Sequence, residues 1–213
     1  MKKLHKETVS DTLLEVLKKL MSFEELSSFR LVGGTSLSLL LGHRRSIDID
    51  MFSDSEYGTI DFESILGRIE SEFLYVESEN WINSTLGNSC FLGKSKGNSV
   101  KLDLFYTEAF VYPIKEIENI RLSELSEIAA MKLEVIGSGG RKKDFWDIHA
   151  LIDHYSINEM IGFYLKRYPY SYTEEEIKSQ LVNFEKAEMD FDPNCLQGKY
   201  WELIKLDIEE RLK

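Results

Sequence analysis

Two acids spaced two residues apart in an apolar run constrain this chain more than any other feature: Ile47-Asp48-Ile49-Asp50-Met51-Phe52. The alternation has the period of a strand, in which residues i and i+2 point to one face. Asp48 and Asp50 therefore present two carboxylates side by side, roughly 6–7 Å apart along the strand. Unpaired carboxylates that close repel each other. A divalent cation removes the repulsion, and Mg²⁺ favours carboxylate oxygens together with phosphate oxygens.

Upstream, Phe29 to Val32 reads as a short strand that stops at Gly33-Gly34, and a helix is expected from about Thr35 to Leu41, closed by Gly42. Glycines at that junction let the backbone approach a ligand closely. Free N–H groups at a helix start hold anions. The Thr35 and Ser36 hydroxyls are candidates to add hydrogen bonds to a phosphate. An anion cradle facing an acid pair suits a nucleoside triphosphate with Mg²⁺. A third acid, Asp103, lies in the apolar strand pattern Lys101-Leu102-Asp103-Leu104-Phe105. If that strand pairs with Ile47–Phe52, three carboxylates meet and two metals can be held. Asp103 is then the candidate base. Alone, each feature has an ordinary reading as a solvated strand face, a turn or an edge residue. Their combination carries the inference.

The chain of 213 residues carries a net charge of −11 and a pI near 5.0. The acidity is spread over both halves, which excludes an evenly basic nucleic-acid coat but not a local basic site. Two cysteines, Cys90 and Cys195, make neither a disulfide framework nor a zinc site. The first residues lack the unbroken apolar stretch of a signal peptide. LVGGTSLSLLLG is too short to span a bilayer. A soluble, cytoplasmic protein with no membrane contact is expected.

Helical spacing is expected over residues 8–27 and Thr59–Phe73. Strands are expected at Leu74–Glu77, Trp81–Leu86, Cys90–Gly93 and Ser99–Tyr106, with turns at Gly87-Asn88 and Gly97-Asn98. After Pro113 the pattern turns helical: Ser123–Ile136 with Ser123 as N-cap, Asp144–His154, Ile157–Tyr168, Thr173–Met189 with a capping box at Thr173, and Leu196–Leu212. The expected class is α+β. A mixed-sheet domain over 1–122 precedes an all-helical domain over 123–213.

VGGTSLSLLLGHRRSIDIDMF resembles the first motif of nucleotidyltransferases with the polymerase-β-like fold, and KLDLF resembles the strand of their third acid. AAMKLEVIGSGGRKKDFWDIHAL resembles the AbiEii/AbiGii toxin branch, in which a helix lysine precedes a basic-Asp-x-x-Asp helix. The resemblance covers residues 29–154. It implies metal-binding acids at Asp48, Asp50 and Asp103, a triphosphate-holding element at Gly33, Gly34 and Thr35, and a phosphate-contacting lysine at Lys132. It also implies functional acids at Asp144 and Asp147. Threonine at position 35 replaces the family's serine and keeps the hydroxyl. Arg44 and Arg45, just before the acid pair, are candidates to orient the triphosphate, to screen the carboxylates or to touch nucleic acid.

The implied activity is Mg²⁺-dependent transfer of a nucleoside monophosphate from an NTP, with two metals and Mn²⁺ as a substitute. The acceptor is a hydroxyl of RNA, such as a tRNA 3′ end, or of a protein side chain. The biological setting implied is a bacterial toxin–antitoxin or phage-defence system, with a cognate antitoxin, such as a winged-helix protein, as partner. A non-catalytic nucleotide-binding module and an antitoxin-type nucleotidyltransferase that modifies a partner protein are the alternatives. Retention of all three acids and the lysine speaks against the first. The long helical C-terminal part speaks against the second.

Overall fold

A computed structural model describes residues 3–78, 81 and 86–213. In chain order the elements are α1 (Asp11–Met21), β1 (Arg30–Leu31), α2 (Gly33–Leu41), β2 (Asp48–Ser53), α3 (Phe62–Glu72), β3 (Tyr75–Glu77), β4 (Gly87–Ser95), β5 (Asn98–Tyr106), β6 (Ile114–Ile117), β7 (Ile120–Ser123), α4 (Leu125–Gly137), α5 (Lys142–Ile152), α6 (Ile157–Arg167), α7 (Glu174–Leu181) and α8 (Trp201–Leu212). The class is α+β. Among the described residues, one mixed sheet of seven strands runs β3-β4-β5-β2-β1-β7-β6.

The alternation that opens the sequence sets the centre of this sheet. Ile49 and Met51 of β2, with Leu102 and Leu104 of β5, are fully buried on one face. Each such side chain contributes about 1.5–3 kcal/mol on burial. Asp48, Asp50 and Phe52 stand on the other face. The two strands pair in parallel, with Asp48 opposite Lys101 and Asp50 opposite Asp103. A slip of one residue would bury the acids, so the apolar set also sets the register.

Two hydrophobic clusters form. One lies against the sheet and takes in α1, α3 and the inward residues of the strands. The other is built by α4 to α8 with Leu37 of α2. Leu39, two residues on, belongs to the first cluster. Helix α2 therefore sits between the two cores, and its N-terminus opens where the sheet meets the helices.

Several expectations are corrected. Gly87-Asn88 is not a turn but the start of β4. A Cβ at Gly87 would overlap the Leu104 carbonyl oxygen of β5, so glycine serves close strand approach there. No strand is expected between Tyr106 and Ser123, yet two are present. Ile114–Ile117 and Ile120–Ser123 form a hairpin whose turn residues, Glu118 and Asn119, both have positive φ. β7 then pairs in parallel with β1, Leu122 opposite Leu31. Ser123 is therefore a strand residue, and Glu124 is the N-cap of α4. The helix expected over Thr173–Met189 ends at Leu181, and that over Leu196–Leu212 starts at Trp201. The capping box at Thr173 is present. The expected strand Trp81–Leu86 falls mostly on residues outside the described set.

The segment after β5 is tied down by a buried ion pair. Arg167 of α6 meets Glu127 of α4 with both side chains fully buried. Glu127 accepts the backbone N–H groups of Val111 and Tyr112, and Arg167 donates to the Ala109 carbonyl and the Thr107 hydroxyl. None of the described helices is long and apolar enough to cross a membrane.

Candidate active site

The diglycine opens α2. Gly33 has φ of 64°, a left-handed conformation that glycine adopts freely, and a Cβ there would lie 2.9 Å from Asp50 Oδ2. A Cβ on Gly34 would overlap the Arg44 guanidinium. The first turn of α2 thus lies directly over the acid pair with its N–H groups free. Gly33→Ala is expected to weaken nucleotide binding at least tenfold and to cost about 1–2 kcal/mol of stability. Nucleotide titration and thermal melting of the same preparation check both.

The Thr35 and Ser36 side chains are placed differently from the expectation that their hydroxyls meet phosphate. Both residues are buried. Thr35 Oγ1 donates to the Asp48 carbonyl and lies 2.8 Å from Ser46 Oγ. This contact fastens α2 to the start of β2. Ser36 faces the interior with its hydroxyl unpartnered among the described residues. Phosphate contact from this turn is left to backbone N–H groups.

Asp48 and Asp50 share the cleft face of β2, and neither carboxylate has a hydrogen bond or ion pair among the described residues. Burial, and then the neighbouring Asp103 and Asp48 charges, push the Asp50 pKa up to about 6. Asp103 is one strand across, but its carboxylate is turned to Ser89 and Lys101. Ser89 donates to Oδ1 at 2.5 Å, and Lys101 Nζ lies 2.6 Å from Oδ2. Among the described residues no three ligating side chains converge on one point. The donor chemistry of Asp48 and Asp50, two uncompensated carboxylates beneath free N–H groups, fits a hard divalent cation.

An ionised Asp50 opposes folding in the absence of a cation. Its pKa is raised in the native state, so the native state holds its proton more tightly than the unfolded chain. The penalty is absent below pH 4, grows as pH rises, and is complete above about 6. Asp50→Asn is expected to stabilise the cation-free protein on the order of 2 kcal/mol at pH 8, with the gain shrinking toward pH 4. Added Mg²⁺ should raise the melting temperature of the wild type more than that of the variant.

Across the cleft lies a buried four-charge network. Lys132 of α4 places Nζ 2.7 Å from Asp144 Oδ1 and 2.6 Å from Asp147 Oδ2. Arg44 grips Asp147 with two nitrogens, Nε at 2.6 Å and Nη2 at 2.8 Å. His43 Nε2 lies 2.8 Å from Asp147 Oδ1. Burial lowers the His43 pKa against the pull of Asp147, so the ring is neutral and donates from Nε2. Burial alone would raise the Asp147 pKa. Lys132, Arg44 and His43 outweigh it and hold the carboxyl well below the usual range. Two cations and two anions therefore cancel. Lys132 has three donors and uses two on the acids, leaving one for the cleft that it lines. Asp147 is fully buried, so its part is to hold Lys132 and Arg44 in place.

These groups line a cleft of about 340 Å³ between sheet and helices, with Gly33, Gly34, Asp48, Asp50, Lys132 and Asp144 in its wall. Ser46, Phe52, Glu134, Lys143 and Tyr168 line it too. From sequence, Lys143 is a candidate to meet phosphate and Tyr168 to stack on a base; Ser46, Phe52 and Glu134 carry no such reading. Lys143 is one of three consecutive cations before Asp144. Burial lowers its pKa, and no described acid pairs with it. Arg45 is exposed and lines an adjoining cavity of about 480 Å³ that shares Asp48, Arg141 and Lys143 with the first. His149 pairs with Asp207 at 2.6 Å, a helix-packing contact.

The mixed sheet carries an acid pair on its central strand, a diglycine helix start above it and a lysine helix opposite, the arrangement expected of a nucleotidyltransferase. A family profile described as the nucleotidyl transferase AbiEii toxin of type IV toxin–antitoxin systems matches residues 15–208. The chain belongs to the AbiEii nucleotidyltransferase toxin family. It is 28% identical over 211 residues to an uncharacterized protein of Aquifex aeolicus (strain VF5), covering 93% of each chain. Its fold is similar to that of MenT4, a nucleotidyltransferase toxin of Mycobacterium tuberculosis H37Rv, with TM-score 0.61 and 14% identity, covering 94% of this chain and 82% of that one. It is also similar to JHP933 from Helicobacter pylori, with TM-score 0.57 and 17% identity, covering 94% of this chain and 87% of that one.

Proposed function

We propose that the protein transfers a nucleoside monophosphate from an NTP to an acceptor hydroxyl, releases pyrophosphate, and acts as the toxin of a toxin–antitoxin pair. The observation that carries this reading is the unpaired Asp48–Asp50 carboxylate pair beneath the open N-terminus of α2. A divalent cation, Mg²⁺ with Mn²⁺ as substitute, would be held by Asp48 and Asp50. Asp103 would join for a second ion on release of Lys101. When bound, it supplies Lewis-acid stabilisation of charge on the transferring phosphate.

The remaining work falls to side chains and backbone. The N–H groups of Gly33 and Gly34 hold phosphate oxygens, as a helix start does. The third donor of Lys132, with Lys143 and Arg141 at the mouth of α5, neutralises the triphosphate. In the transfer, the acceptor oxygen forms a bond to the α-phosphorus. The bond from that phosphorus to the bridging oxygen of the β-phosphate breaks, and pyrophosphate leaves with the electron pair. The acceptor's proton passes to a carboxylate, for which Asp103, opposite Asp50 in the sheet, is the candidate once Lys101 releases it.

The acceptor is RNA, with a tRNA 3′ end the first to test. The local cations Arg45, Arg141 and Lys143 around the adjoining cavity support a polyanion against the acidic background. The experiment is transfer of α-³²P label from each NTP in total RNA mixed with cell protein, followed by ribonuclease or protease. Label lost only to ribonuclease is the expected result. Label lost only to protease would make the acceptor a protein hydroxyl.

A further inference from the structure

The lining of the cleft divides in two. The glycines, the acids, Lys132, Arg141 and Lys143 make a charged part. Val32, Phe52, Ile128, Met131 and Val135 make an apolar part, to which Tyr168 adds an aromatic ring. A nucleoside triphosphate has the same division, and its base belongs in the apolar part. One charged group stands there, Glu134 of α4.

Glu134 is held from behind. Tyr164 Oη donates to Glu134 Oε2 at 2.9 Å. The direction is set, because the Tyr172 backbone N–H donates to the same Tyr164 oxygen at 2.9 Å, leaving the phenolic hydrogen for Glu134. Ser171 Oγ lies 2.9 Å from Oε1 and 3.0 Å from Oε2. Tyr164 is fully buried, so this support is rigid. A carboxylate oxygen has two acceptor positions. Oε2 has two donors in reach and Oε1 has one, so Oε1 keeps one position open.

We infer that Glu134 selects the donor nucleotide by accepting a hydrogen bond from the exocyclic amine of its base, so that CTP is favoured over UTP. A carboxylate only accepts, and the carbonyl that uracil carries where cytosine has its amine only accepts too. Placing that carbonyl against the open Oε1 position brings two acceptors together with no hydrogen between them and repels. The inference rests on the cleft being the NTP site.

CTP and UTP differ at position 4, amine against carbonyl, and at the adjoining N3, acceptor against N–H, so they are the test pair: pairing through the 4-amine favours CTP, and pairing through N3–H would favour UTP. Calorimetric titration of the wild type and of Glu134→Gln with non-hydrolysable α,β-methylene CTP and UTP, in Mg²⁺, reads it directly. The wild type is expected to bind the cytosine analogue at least tenfold more tightly. Glutamine can donate as well as accept, so Glu134→Gln should bring the ratio to one or below. Equal binding of both analogues by the wild type overturns the inference, as does a ratio that Glu134→Gln leaves unchanged. A Glu134→Gln effect on the ribose alone, read with the 2′-deoxy analogue, would also overturn it by placing Glu134 at the sugar. Binding of neither analogue would overturn the reading of the cleft itself, and that outcome is distinct from binding without discrimination.

Discussion

Asp147→Ala is expected to lose about 3–5 kcal/mol of stability, the range for breaking a buried ion pair from one side. Asp147 is fully buried and touches Lys132, Arg44 and His43. Its removal leaves the guanidinium of Arg44 without its carboxylate and passes Lys132 to Asp144 alone. The uncompensated charge is left largely buried where α2, α4 and α5 meet. Denaturant unfolding at pH 7 checks this, with Asp147→Asn as the companion that keeps the shape and loses the charge. A pH series gives a second readout. The Asp147 pKa is depressed in the native state, so its contribution is present above about pH 4 and disappears as pH falls through the native value. The gap between wild type and Asp147→Ala should therefore close in acid.

The other large effect is on chemistry. Asp48→Asn combined with Asp50→Asn is expected to reduce nucleotidyl transfer about a thousandfold or more, the several kcal/mol that a metal-holding carboxylate pair supplies. Stability moves the opposite way, because neutral amides remove the buried charge and the repulsion that together raise the Asp50 pKa to about 6. A more stable but inactive variant cannot owe its inactivity to unfolding. Steady-state transfer rates and melting curves on the same preparations separate this outcome from that of Asp147→Ala, in which activity and fold are lost together.

The contrast between these acids also shows what could be read in the sequence. The period-2 run Ile47–Phe52 placed Asp48 and Asp50 on one strand face, and the apolar flanks of Asp103 placed it in a neighbouring strand. Both follow from local pattern, and the pairing of Asp50 opposite Asp103 follows once β2 and β5 lie side by side. The partners of side chains far apart in sequence were not legible. Arg44 had open readings at the triphosphate, at the acids or on nucleic acid, yet it spans 103 residues to grip Asp147. Thr35 had the composition of a phosphate contact, yet its hydroxyl turns inward to the Asp48 carbonyl. The hairpin of β6 and β7 was missed because Glu118-Asn119 is not one of the glycine-containing pairs that mark a two-residue turn. Glu134 and Tyr168 joined the cleft only through packing of α4 against α6, which no single segment announces.

The most direct measurement compares two labels on the same nucleotide. The protein with Mg²⁺ and total RNA is given NTP labelled at the α-phosphate or at the γ-phosphate, in parallel. Nucleotidyl transfer at the Asp48–Asp50 cleft puts the α label into the acceptor and the γ label into free pyrophosphate, and Asp48→Asn with Asp50→Asn abolishes both. Appearance of the γ label in the acceptor would mean phosphoryl transfer. α label transferred equally by the variant would mean that the chemistry lies elsewhere. Either result contradicts the site described above.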